Sequence, residues 1–166
     1  GSVGGGLARK LAADGARLTL ADRDEERAKM LAQELGAALC GADEILTLDA
    51  DIVSPNALGA ILNERSIPLI RAGVVAGGAN NQLATPQDAQ RLHDRGILYA
   101  PDYVINAGGI INVGLEYLGQ GDRAEVDARV ALIPGRLHAI WAESAASGLP
   151  AAIVADVMAQ KLIGRA

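Results

Sequence analysis

Short apolar runs alternate with helix-period segments along most of the chain, and this alternation constrains the fold more than any other feature. Runs at 16–21, 37–40, 50–53, 73–76 and 97–100 have the length and composition of strands. Between them, Leu7, Ala8, Leu11 and Ala12 recur at helical spacing until Asp14-Gly15 stops them. Asp24 can cap a second helix, with Ala28, Leu31 and Leu35 facing inward and Gly36 at its end. Further helical patterns fall around Ala57–Asn63 and Pro86–Arg95. Strands that alternate with helices predict an α/β fold, a Rossmann-like doubly wound and mainly parallel sheet. The end of the chain differs: from Asp122, Val126, Val130, Ile133, Leu137, Trp141 and Ala145 form an apolar stripe at three-to-four-residue spacing. That stripe predicts one long helix or two stacked ones, kinked or divided at Pro134. After Gly148-Leu-Pro150, Ile153, Val154, Val157, Met158 and Leu162 predict a final helix, so a helical portion from about residue 115 onward is expected to serve packing.

At 166 residues, half of them hydrophobic, with 20 glycines and no phenylalanine, the chain suits one domain of closely packed elements, residues 1–166. A formal net charge of −5, without a basic run or an aromatic stacking cluster, leaves no footprint for nucleic acid. No apolar stretch approaches the roughly 20 residues that cross a bilayer, and no signal peptide is visible, so neither a membrane nor a secretory role is expected. The lone Cys40 cannot form an internal disulfide, which fits a reducing cytoplasm, and it reads as a small buried residue near a strand end. His93 and His138 lack partners at metal-ligand spacing, and Lys10, Lys29 and Lys161 fall on polar helix faces, so no metal is expected.

Gly1, Ser2, Val3 and Gly4 read as the second half of a G-x-G-x-x-G turn, whose first glycine and preceding strand are expected upstream; a cloning scar at Gly1-Ser2 is the bland alternative. Glycines at a helix start let backbone N–H groups and the helix dipole meet a pyrophosphate. Asp22 lies 21 positions after Gly1, close to the roughly 20 that separate such a turn from a ribose-binding acid. A carboxylate there accepts both ribose hydroxyls and repels a 2′-phosphate, which points to NAD. Arg23 beside it could pair with that phosphate, which keeps NADP open.

The run Tyr99-Ala-Pro-Asp-Tyr-Val-Ile-Asn-Ala-Gly-Gly-Ile-Ile-Asn-Val113 sets two amides and a glycine pair among apolar residues. A buried amide without a partner costs roughly 1–3 kcal/mol, so Asn106 and Asn112 are expected to meet a ligand or a backbone group. Gly108 and Gly109 permit close approach to the backbone. Val75-Ala-Gly-Gly-Ala-Asn-Asn-Gln-Leu83 carries a second pair of amides, Asn80 and Asn81, which as isolated residues are equally well turn formers.

These two runs, with Asp51-Ile-Val-Ser-Pro-Asn-Ala-Leu-Gly-Ala-Ile-Leu-Asn63, closely resemble the cofactor domain of the leucine/phenylalanine/valine dehydrogenases, within the wider glutamate dehydrogenase superfamily, and most of all its leucine-specific members. The resemblance implies an NAD-dependent enzyme that oxidatively deaminates a small L-amino acid to a 2-oxo acid and ammonia. It implies that Asn81 reaches the substrate carboxylate, that Asn80 supports it, and that Asn106 meets the nicotinamide carboxamide. Ile110 and Val113 map to a side-chain pocket wall suited to leucine or valine, although their spacing of three also fits core packing. Catalytic lysines and an aspartate are implied on an N-terminal domain outside this chain, so the chain alone is expected to bind without turnover. A homo-oligomer is implied too. Where the family carries cysteine after proline, this chain has Ser54-Pro55-Asn56-Ala57, and any role of that sulfur does not carry over. A phenylalanine or valine dehydrogenase, and a non-catalytic nucleotide-binding regulatory module, are the alternatives.

Overall fold

The computed structural model describes residues 1–165. In chain order the elements are α1 (Ser2–Ala13), β1 (Thr19–Leu20), α2 (Glu25–Leu35), β2 (Ala38–Leu39), β3 (Ile52–Val53), β4 (Val74–Val75), α3 (Gln87–Asp94), β5 (Leu98–Tyr99), α4 (Asp102–Ile105), α5 (Gly108–Tyr117), α6 (Arg123–Val130), α7 (Ile133–Ser147) and α8 (Ala151–Leu162). All strand pairs are parallel: β1 with β2, and β3-β4-β5 in that spatial order. The ladders are short, but flanking bonds such as Val74 N–H to Asp51 O and Ala100 N–H to Val75 O (2.9 Å) extend them through most of the expected runs. Among the described residues the two ladders do not pair with each other. The sheet is Rossmann-like in its parallel strands and crossover helices.

Local chemistry sets the element ends. Asp24 caps α2 by accepting from the Arg27 N–H at 3.0 Å, and Gly36 closes it in the left-handed region at φ 63°. At the start of α3, Asp88 is buried yet fully partnered. It accepts from the N–H and hydroxyl of Thr85 (2.8 Å each) and from Arg91 at 2.8 Å. Pro134 occupies the first turn of α7, where a missing N–H costs nothing, and the expected long helix divides one step earlier at Ala131–Leu132.

The main core lies over the three-stranded sheet, where Val53, Leu62, Ile67, Ile70, Val75, Leu92 and Tyr99 pack together. Smaller clusters join α7 to α8 through Ile140 and Val154, and α7 to the end of β5 through Leu137 and Ala100. On α8 the sequence stripe is only partly the buried one. Ala151, Ala152, Val154 and Ala155 face inward while Ile153, Val157 and Leu162 are exposed, because short alanines let the helix approach its neighbours closely.

The helix expected over Ala57–Asn63 does not form. Its backbone groups serve a neighbouring segment instead: Ala60 N–H donates to Asn81 O at 2.7 Å, Leu62 N–H to Gln82 O at 2.9 Å, and Leu62 O accepts from Ala84 N–H at 2.9 Å. Leu62 thereby forms a parallel bridge with Leu83. Ala60 is held at φ 56°, a conformation costly for any residue with a Cβ. Ala60→Gly should therefore raise stability by up to about 1 kcal/mol, since relief of left-handed strain exceeds the added unfolded-state entropy. An increased urea midpoint at unchanged slope is the expected result, and a decreased one would contradict the strain.

Candidate functional site

The carboxyl ends of β3, β4 and β5 meet at one edge of the sheet, where ligands bind in folds of this kind. The contact between the first two exits is so close that only glycine fits. A Cβ on Gly77 would stand 2.1 Å from the Pro55 carbonyl oxygen. Ala79 N–H donates to that same oxygen at 3.0 Å. Asn56 fastens the two exits from the side: its Oδ1 accepts from Gly78 N–H at 2.9 Å and its Nδ2 donates to Ser54 O at 2.8 Å. Beneath the loop, the fully buried Gln82 donates to Gly77 O (2.7 Å) and Ala79 O (3.0 Å), which fixes the curve of residues 77–82.

The third exit engages both asparagines of that loop. Asp102, at the start of α4, accepts the Asn81 N–H at 2.5 Å on Oδ2 and the Tyr99 hydroxyl at 3.2 Å on Oδ1. Asn106, at the end of α4, donates through Nδ2 to Asn80 Oδ1 at 2.5 Å, with Gly78 O at 3.4 Å. Asn81 adopts φ 53°, a left-handed conformation that asparagine tolerates better than most residues. Its side chain is exposed. Behind α4, the Tyr103 hydroxyl donates to Asp156 of α8 at 2.7 Å, and Trp141 of α7 donates to Tyr99 O at 2.8 Å. Burial, then the neighbouring Asp102 charge, holds the Tyr99 phenol above its usual range; burial, then the Asp156 bond, does the same for Tyr103.

The start of α1 completes the site. A Cβ on Gly78 would stand 2.9 Å from Val3, and one on Gly4 would stand 3.1 Å from Asn56, so the first turn of α1 rests on the β3 and β4 exits. Around Gly1 the space is open. Asp22 lies beside it, with Oδ2 at 3.3 Å from the Gly1 nitrogen. The Asp24 N–H, with Arg27 adding its charge, holds the Asp22 carboxyl below the usual carboxylate range. Ser2 and Arg23 are exposed.

The structure thus brings together Gly1, Val3, Gly4 and Asp22 at one end, and Asn80, Asn81 and Asn106 at the other. Ile110 and Val113 share an exposed face of α5, 70% and 59% exposed, so the core-packing alternative does not hold for them. Asn112 is also exposed, and Asn106 is half-buried with its amide nitrogen partnered, so neither is the fully buried amide that the apolar run predicts. Burial, with Glu44 nearby, raises the Cys40 thiol, which leaves it a weak nucleophile. Three residues escaped the sequence reading: Asn56, Gln82 and Asp102. Asp102 carried the same signal as Asn106, a polar group inside an apolar run.

Known proteins resemble this chain in sequence and fold. The family model described as Glutamate/Leucine/Phenylalanine/Valine dehydrogenase matches residues 3–161. The chain belongs to this family. It is 40% identical to a leucine dehydrogenase of Thermoactinomyces intermedius over 98% of this chain and 44% of that protein. It is also 40% identical to a valine dehydrogenase of Streptomyces albus, over 100% of this chain and 46% of that one. The crystal structure of L-tryptophan dehydrogenase from Nostoc punctiforme superposes with a TM-score of 0.95 at 40% identity, covering 100% of this chain and 50% of that one. The chain therefore spans about half the length of these relatives. Every residue of the site from Val3 onward lies inside the family match.

Because both phenols are raised, folding holds Tyr99 and Tyr103 protonated; their contribution is complete below the ordinary phenol value and is lost as pH rises beyond it. As pH rises beyond about 10 the domain should lose stability, and phenolate absorbance from the buried Tyr99 should appear only together with loss of helical circular dichroism. Ionisation of all three tyrosines while the helical signal persists would contradict the burial of Tyr99.

Proposed function

We propose that this chain is the NAD-binding half of an amino acid dehydrogenase that converts a branched-chain L-amino acid to its 2-oxo acid and ammonia. The observation that carries the reading is the pairing of two features at the same strand exits: a glycine helix start beside Asp22, and an amide cluster of Asn80, Asn81 and Asn106. The residues present fit NAD. Backbone N–H groups at Gly1–Gly4 would hold the pyrophosphate, the Asp22 carboxylate would accept the ribose hydroxyls, and Asn106 would offer its amide to the carboxamide. When bound, NAD supplies the acceptor for the hydride that leaves the amino acid Cα. This chain's own residues orient. In this reading Asn81 donates to the substrate carboxylate and Asn80 is tied to Asn106, so both ligands share one hydrogen-bonded frame. Ile110 and Val113 offer an aliphatic wall, and their exposure leaves them available for it.

The catalytic lysines and aspartate belong, in this proposal, to a separate N-terminal domain; the chain alone binds without turnover. Assembly into a homo-oligomer in the cytoplasm belongs to the same reading. A second substrate class, an aromatic amino acid, is favoured by the likeness to the Nostoc punctiforme tryptophan dehydrogenase, which reaches 48% identity over 72% of this chain. Steady-state kinetics of the complete protein on leucine, valine, phenylalanine and tryptophan decides between them. NAD binding without turnover of any of the four would favour a regulatory module.

Asp22→Ala tests the cofactor assignment. Loss of charge-assisted hydrogen bonds worth roughly 1.5–3 kcal/mol should weaken NAD binding on the order of ten- to a hundredfold. Binding of NADP should weaken less or improve, because the repulsion of a 2′-phosphate goes with the carboxylate. Calorimetric affinities for both cofactors, before and after the change, read this out; an unchanged NAD-to-NADP ratio would remove Asp22 from the ribose site.

A further inference from the structure

We infer that Asp102 is a positioning residue for the substrate end of the cleft, fixing Asn81 in its left-handed backbone so that the side-chain amide projects free. The inference rests on the proposal above that Asn81 meets the substrate carboxylate, and adds what holds it there. Both backbone groups of Asn81 are committed: the N–H to Asp102 at 2.5 Å, the carbonyl to Ala60 N–H at 2.7 Å. Its side chain takes no hydrogen bond from the described residues. A residue gripped only by its main chain keeps its amide wholly available to a ligand.

The grip is built as a gauge. Asp102 and Asn106 stand four apart, one helical turn, and α4 sets that interval rigidly. One end of the turn holds the Asn81 backbone and the other holds the Asn80 side chain, so two consecutive residues are registered against one helix. The Tyr99 hydroxyl on Oδ1 leaves Oδ2 turned toward Asn81. Tyr103 ties α4 to Asp156 of α8, which gives the C-terminal helices a part in aiming the amide. Gly59 adds a steric limit: a Cβ there would stand 2.9 Å from the Asn81 carbonyl oxygen.

A carboxylate is not essential to this geometry, but an acceptor is. In Asp102→Asn the amide oxygen can still accept from Asn81 N–H while the amide nitrogen donates to the Tyr99 oxygen. Asp102→Ala removes the acceptor. The test uses the complete protein, with residue-level hydrogen exchange of the Asn81 amide and Michaelis constants for amino acid and NAD. Asp102→Ala should speed Asn81 exchange at least tenfold and raise the amino acid constant about tenfold with little change in that for NAD; Asp102→Asn should restore both. Where Asp102→Ala alone does not fold, Tyr99→Phe with Asp102→Ala removes phenol and carboxylate together and serves the same measurement. Exchange at Asn81 that stays slow without the acceptor, or that Asp102→Asn fails to restore, would overturn the inference. Fast exchange restored by asparagine, with an unmoved amino acid constant, would confirm the grip on the backbone and overturn only the assignment of Asn81 to the carboxylate.

Discussion

Of all the glycines, Gly77 lies closest against a neighbour: a methyl group there would meet the Pro55 carbonyl oxygen at 2.1 Å. Two parallel strands leave the sheet side by side, and without a side chain at 77 their exits touch. The loop from Gly77 to Gln82 then has only one course. It passes under the first turn of α1 at Gly78 and over the buried Gln82 amide, and it ends against α4. A larger residue at 77 would have to push one exit away, and the glycine helix start, Asn56 and the asparagine pair would no longer meet at one edge of the sheet.

Polar groups do the remaining positioning, and almost all of them act on main chain. Asn56 holds the Gly78 N–H, Gln82 two carbonyls, and Asp102 the Asn81 N–H. A hydrogen bond to a charged acceptor contributes about twice a neutral one, which suits one of the two main-chain contacts that keep the left-handed Asn81 in place. Two residues that would touch ligand are left with open capacity, Asn81 through its whole side chain and Asn80 through its amide nitrogen. Structure and proposed function connect through this division, in which Asn56, Gln82 and Asp102 hold main-chain groups of the loop while the Asn81 side chain takes no hydrogen bond from the described residues.

Much of this was legible in the sequence because strands in an α/β fold announce themselves as short apolar runs, and the glycine and asparagine clusters follow three of them. The helix ends at Asp24, Gly36 and Gly148 were equally readable, since capping chemistry is local. What failed was non-local. Ala57–Asn63 has helical composition, yet Ala60 and Leu62 give their N–H groups to residues some twenty positions away, and no periodicity encodes that choice. On α8 the bulky residues suggested the inner face, while the close approach of neighbouring elements selected alanines. Asn112, within α5, and Asn106, at the end of α4, looked alike in sequence because the burial of each depends on what packs across it; only Asn106 has the β4 loop opposite. Asp102 was visible as a carboxylate in an apolar run, but its partner, a backbone N–H 21 residues earlier, was not.

The central claim is that three strand exits build one frame in which Asn81 presents its amide to a substrate carboxylate and Asn106 presents its own to the nicotinamide. A crystal structure of the complete protein with NAD and a 2-oxo acid bound measures this directly. The account predicts the 2-oxo acid carboxylate about 3 Å from the Asn81 side-chain nitrogen, with the nicotinamide carboxamide at Asn106 and the Asn80–Asn106 bond retained. A carboxylate bound elsewhere, with Asn81 still facing solvent, would contradict it.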